Sequence, residues 1–80
     1  MNESDARTAV HAAIAQVAPD VDTGQLDDGA RLRQDLELDS LDFLALVETI
    51  ARSTGVDIPE SAYAQVGTVG GLAAYVAAHG

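Results

Sequence analysis

The sequence has no cysteine, no lysine and no tryptophan, and its only aromatic residues are two tyrosines and one phenylalanine. Without cysteine the chain can form neither a disulfide nor a cysteine-ligated metal site, and it has no thiol of its own. With so few aromatic side chains, most of the core must be filled by Ala, Val and Leu. Residues 1–5 lack the basic and apolar regions of a signal peptide, and no apolar run approaches membrane-spanning length. We therefore expect a cytoplasmic protein without membrane insertion.

Positive charge is also scarce, because 13 acidic residues stand against 4 arginines, for a net charge of −9. Such a surface repels the phosphates of nucleic acids and of anionic membranes, so neither is an expected partner. Basic protein surfaces are the natural partners, attracted at long range by a force that salt weakens. The charge alone would equally fit a small protein that is merely kept in solution.

Eighty residues are enough for one domain, residues 1–80, with a modest core. The apolar spacing predicts a first helix from Ser4 or Asp5 to about Ala18, ended by Pro19. Residues 19–39 are rich in turn formers, with a short helical turn predicted near residues 30–34. Five apolar residues are spaced along this loop and should hold it against the helices: Val21, Leu26, Leu32, Leu36 and Leu38.

The second half of the chain is predicted to be more regularly helical. A second helix should run from about Ser40 to Ser53, a short helix over residues 60–66, and a last helix from a Thr68 cap. Gly70 and Gly71 should weaken the start of the last helix by about 1 kcal/mol each, so that this end frays. Short connections favour neighbouring antiparallel helices. The expected fold is therefore an all-α bundle of three main helices plus one short helix, with a long first loop.

The stretch DLELDSLDFL, residues 35–44, contains the most informative pattern in the chain. Either Asp39 or Ser40 could cap the second helix, and the Ser40 hydroxyl is expected to point out of the loop. Taken alone, this pattern indicates only a helix cap. The acidic residues fit no calcium-binding loop, whether it is started at position 20 or 35. No base is placed to activate Ser40, so the pattern does not favour a hydrolase.

Residues 36–44 resemble the 4′-phosphopantetheine attachment site of acyl carrier proteins, in which the Ser of Asp-Ser-Leu carries the arm. The resemblance continues downstream through Gly55, Ile58–Pro59 and Thr68–Val69–Gly70 and covers roughly the last two-thirds of the chain. It implies an acyl-carrier-like fold, a covalent 4′-phosphopantetheine on Ser40, and a carrier that is not itself an enzyme. The arm would bring the missing thiol, on which acyl groups are held as thioesters for fatty-acid, polyketide or related lipid biosynthesis.

The same resemblance implies a set of partner proteins. They are a phosphopantetheinyl transferase, whose basic residues and metal would meet the acids around Ser40, an acyl-loading ligase or transacylase, and ketosynthase-type enzymes. The carrier is expected to be a monomer. The partner-binding residues are predicted on the outward face of the second helix and beside its start: Glu37, Asp39, Leu41, Asp42, Leu44 and Glu48. Alternatively, Leu41 and Leu44 are simply core residues.

The sequence departs from the commonest fatty-acid carriers, since Ala45, Ala51 and Arg52 stand where glutamates are frequent. A specialised polyketide or other lipid pathway therefore fits at least as well as housekeeping fatty-acid synthesis. Peptidyl or aryl carriers rank lower, because they more often have Gly-Gly before the serine where this chain has Leu38–Asp39. An acidic helical adaptor without a prosthetic group is a further alternative, from a different class of protein.

Overall fold

The computed structural model describes all 80 residues and contains three α-helices: α1 Glu3–Val17, α2 Ser40–Thr54 and α3 Val69–His79. Two 3₁₀ helices, Thr23–Gln25 and Glu60–Gln65, lie in the connections between them. The predicted all-α bundle of three main helices plus a short one is confirmed. The helix ends agree with the predicted ends within two residues, and only the first 3₁₀ helix was not predicted.

Helix α1 is central to the packing, because both α2 and α3 lie against it. Its inward stripe consists of Ala6, Val10, Ala13 and Ile14. Two of these residues are alanines, whose small side chains let the neighbouring helices approach closely. The last helix, α3, also contacts the second 3₁₀ helix, to which a short connection joins it. None of the helices has both the length and the hydropathy that crossing a membrane requires.

The core is one cluster of 17 buried apolar residues, all of them Ala, Val, Leu or Ile. The three aromatic residues, Phe43, Tyr63 and Tyr75, are only partly buried and pack around its edge. This is the aliphatic core that the shortage of aromatic residues predicted.

The long loop between α1 and α2 is held to the helices as predicted. Leu32 and Leu38 are buried, and Val21, Leu26 and Leu36 pack against the core while half-buried. The backbone adds further links to the segment before α3: Leu32 N–H donates to Gly67 C=O at 2.9 Å, and Val69 N–H to Ala30 C=O at 3.0 Å. The predicted helical turn near residues 30–34 is a single hydrogen-bonded turn that begins at Arg31, not a helix.

An ion pair braces this turn. The Arg31 guanidinium lies 3.2 Å from the Asp35 carboxylate, which also accepts a 2.8 Å hydrogen bond from the Arg31 backbone N–H. The side-chain hydrogen bond, followed by the backbone hydrogen bond, lowers the pKa of Asp35 below its ordinary value, and the same pair raises the pKa of Arg31. A lowered carboxyl pKa stabilises the fold above the pKa of the unfolded chain, and this contribution is lost as the pH falls through the folded pKa.

The glycines beside α2 and α3 have different roles. Gly55 caps the end of α2 in the left-handed conformation, with φ of 76°, as its position predicted. At the start of α3, a Cβ on Gly70 would lie 2.9 Å from Asp28 O, and one on Gly71 would lie 2.5 Å from Gln65 O. The Gly70 N–H also donates to Asp28 C=O at 2.7 Å. The two glycines thus admit neighbouring backbone against the start of α3, and the contacts there oppose the predicted fraying.

Candidate functional site

Ser40 is the first residue of α2, and its neighbours leave its hydroxyl unused by the helix. Asp39 is the N-cap: its side chain accepts from Asp42 N–H at 2.8 Å. In return, the Asp42 carboxylate accepts a hydrogen bond from Asp39 N–H at 3.5 Å, and the two bonds together form a capping box. Of the two residues that the sequence proposed as cap, Asp39 therefore has the role. Ser40 is exposed, and its hydroxyl is available at the positive end of the helix.

The backbone immediately before Ser40 makes a sharp change of direction. Glu37 has φ of 59°, in the left-handed region that residues other than glycine rarely adopt. Leu38, the next residue, is buried at 4% exposure, and its N–H donates to Leu32 C=O at 3.2 Å. The turn at Glu37 thus sends Leu38 into the core while Asp39 and Ser40 stay at the surface.

A surface cleft of about 330 Å³ opens beside Ser40, between the start of α2 and the second 3₁₀ helix. This volume is at the lower end of the range for small-molecule sites. Phe43 and Tyr63 meet edge to face with ring centroids 5.0 Å apart. The lining is half apolar and half polar: Arg33, Ser40, Phe43, Leu44, Glu60 and Tyr63.

Arg33 is the one cation in the cleft, and sequence reasoning did not single it out. Its Nη2 donates a long hydrogen bond, 3.4 Å, to Ser40 Oγ. The residue lies seven positions before Ser40 and outside the stretch that resembles the attachment site. Only its positive sign in an acidic loop could have drawn attention to it.

Five of the six predicted partner-binding residues are exposed, and the sixth, Asp42, is half-buried. Leu41 is 76% exposed and Leu44 is 45% exposed, so the alternative that they are core residues is wrong. Glu48 is exposed on the same face of α2, Glu37 and Asp39 are exposed beside its start, and Asp42 is half-buried. We call these six residues the docking patch.

The Ser40 hydroxyl makes no hydrogen bond to a carboxylate or an imidazole. Its recorded hydrogen-bond partner is Arg33, whose guanidinium cannot accept a proton. His79 is stacked on Tyr75 in α3, and neither histidine lines the cleft. His11 is half-buried in α1, and its Nε2 is enclosed without a hydrogen-bond partner. No three His, Asp or Glu side chains are grouped to hold a metal ion.

Comparison with known proteins identifies the class of protein. A family model for the phosphopantetheine attachment site matches residues 8–76, which is most of the chain. No curated protein sequence matches it. The chain belongs to the phosphopantetheine attachment-site family, the family of acyl carrier proteins, as the resemblance of residues 36–44 indicated.

It is accordingly a carrier domain for a covalent 4′-phosphopantetheine. The local structure fits such a group, since it offers an exposed hydroxyl, a cleft beside that hydroxyl and a cation at the cleft wall.

Proposed function

We propose that Ser40 is the attachment residue and that the protein presents acyl intermediates to fatty-acid, polyketide or related lipid biosynthetic enzymes. The observation that carries the proposal is the exposed Ser40 hydroxyl at the start of α2, with helix capping done by Asp39 and an open cleft alongside. Ser40 lies within residues 8–76, which the family model matches. When bound, the arm supplies the thiol that the sequence lacks, on which an acyl group is held as a thioester.

The chain's own residues would anchor and present the arm rather than perform chemistry. Ser40 holds one end, while Phe43, Leu44 and Tyr63 offer an apolar wall beside it. The docking patch supplies two exposed leucines bordered by acids, a composition suited to a basic partner surface with a small apolar centre. Tethering then raises the local concentration of the cargo at each partner enzyme.

The test of the attachment residue is the mass of the intact protein. After incubation with coenzyme A and a phosphopantetheinyl transferase, the protein should gain one phosphopantetheine, and peptide mapping should place it on Ser40. An unmodified protein after trials with several transferases, or an arm on another residue, would contradict the proposal. Loading the modified protein with fatty acids and, separately, with amino acids distinguishes an acyl carrier from a peptidyl or aryl carrier.

The capping box allows the charge of Asp39 to be tested separately from its structural role. Asn caps helices as well as Asp, so Asp39→Asn should keep the stability of α2 while removing one negative charge beside Ser40. We expect slower modification by the transferase and a weaker dependence of its rate on salt, because electrostatic steering is reduced. Initial rates across a salt series measure both effects.

Asp57→Asn is the matched control, because it removes the same charge beyond the opposite end of α2, where Asp57 is exposed. A 15-residue helix separates the two positions by about 22 Å. If both variants slow modification equally, only net charge matters, and the acids around Ser40 have no local part in docking.

A further inference from the structure

Arg33 is the residue near Ser40 whose position the proposed function does not explain. Arg7 pairs with Asp28 at 2.9 Å and Arg31 with Asp35 at 3.2 Å, but Arg33 forms no ion pair. Arg52 also lacks a carboxylate partner, yet it lies in the last turn of α2, where the helix dipole favours a positive charge. In a chain with 13 acidic residues, a loop arginine directed at a neutral hydroxyl is an unsatisfied cation.

No carboxylate lies within ion-pair distance of the Arg33 guanidinium. The carboxylates of Asp39 and Asp42 each accept a backbone N–H of the capping box. Glu60 shares the cleft but makes no ion pair with the arginine. The cleft therefore contains a guanidinium with donor capacity to spare beside the hydroxyl that is to be modified.

We infer that Arg33 binds the phosphodiester of the arm once Ser40 is modified, holding the arm's first group against the cleft. This inference rests on the proposed modification of Ser40. The phosphorus is bonded directly to Ser40 Oγ, so its anionic oxygens are introduced where Arg33 Nη2 already lies 3.4 Å from that atom. A guanidinium can donate two parallel hydrogen bonds to a phosphate, and its bonds to an anionic oxygen are stronger than its single long bond to the neutral Ser40 hydroxyl. The same contact offsets the repulsion between the phosphodiester and Asp39 and Asp42.

The inference is tested by comparing the thermal unfolding of unmodified and modified protein. The quantity compared is the change in melting temperature that modification causes. This change should be smaller in Arg33→Gln than in wild type by about 1–8 °C, the range for an exposed pair in a domain of this size. The loss should shrink in about 1 M salt, where screening extends over only about 3 Å. Arg33→Lys should retain part of the wild-type difference, and the phosphorus NMR signal of the arm should shift in Arg33→Gln.

Arg52→Gln is the matched control, because it makes the same change at an arginine that has no ion pair and lies at the far end of α2 from Ser40. Arg52→Gln should shift the melting temperatures of the unmodified and the modified protein equally, so that the difference between them stays at the wild-type value. If Ser40 is modified but the difference is the same in wild type and Arg33→Gln, the inference is overturned while the proposed function stands. If no variant, wild type included, is modified at Ser40, both fail together.

Discussion

Replacement of Ser40 by alanine is expected to abolish attachment of phosphopantetheine while leaving the fold intact. The Ser40 hydroxyl makes one long hydrogen bond, 3.4 Å, and does not cap the helix, because the capping box uses Asp39 and Asp42. Alanine is also the best helix former, so α2 should begin at the same place. The intact mass should stay that of the unmodified chain, with a melting temperature close to that of wild type.

Ser61→Ala is the control for this prediction. Ser61 is an exposed serine in the second 3₁₀ helix, adjacent in sequence to Glu60 of the cleft. The Ser61→Ala protein should accept one arm at the wild-type rate. A Ser40→Ala protein that still gains the arm would show that another hydroxyl is the acceptor. An unmodifiable Ser40→Ala protein that keeps full activity with its biological partners would instead favour an adaptor without a prosthetic group.

The second large effect is expected in the long loop, where Leu32→Ala should destabilise the whole domain. Leu32 is fully buried, and its backbone links Gly67 on one side to Leu38 on the other. Truncating a buried leucine costs about 2–5 kcal/mol, from lost burial and from the cavity that remains. For a domain of this size, 3 kcal/mol corresponds to a fall in melting temperature of roughly 12–24 °C.

Leu41→Ala is the matched control, since it makes the same chemical change at a side chain that is 76% exposed. Its free energy of unfolding should stay within about 0.5 kcal/mol of wild type. Chemical denaturation of the three proteins measures both effects. Similar small losses in the two variants would show that the loop is not part of the cooperative fold, and that Ser40 is not positioned through Leu32.

The elements that sequence reasoning predicted well are those specified by local chemistry. Pro19 ends α1 because it removes the α conformation from Ala18, and Gly55 ends α2 in the left-handed conformation that glycine tolerates. The apolar spacing of residues 43–50 favoured an outward position for Leu41 and Leu44, but their exposure in the structure was needed to exclude the alternative that they are core residues. The candidate acceptor Ser40 came instead from the resemblance of residues 36–44 to the attachment site, because the local pattern alone indicates only a helix cap.

What could not be predicted depends on segments that meet only in the folded chain. No glycine or asparagine at position 37 indicates a positive φ from the sequence alone. In the folded chain, Glu37 adopts a positive φ where the backbone turns Leu38 into the core. From the sequence, Gly70 and Gly71 are simply weak helix formers. The structure shows that each allows a close approach of neighbouring backbone, from Asp28 and Gln65 respectively. Arg33 acquires its position beside Ser40 only because the loop folds back towards α2.

The placement of the two tyrosines has a practical consequence in a chain without tryptophan. Tyr63 stands at the wall of the cleft against Phe43, whereas Tyr75 is stacked on His79 in α3. Ultraviolet emission of the unlabelled protein therefore comes from two phenols, of which one borders the cleft. Changing Tyr75 to Phe would leave Tyr63 as the sole intrinsic fluorophore, an optical reporter of whatever enters the space beside it, with no dye attached.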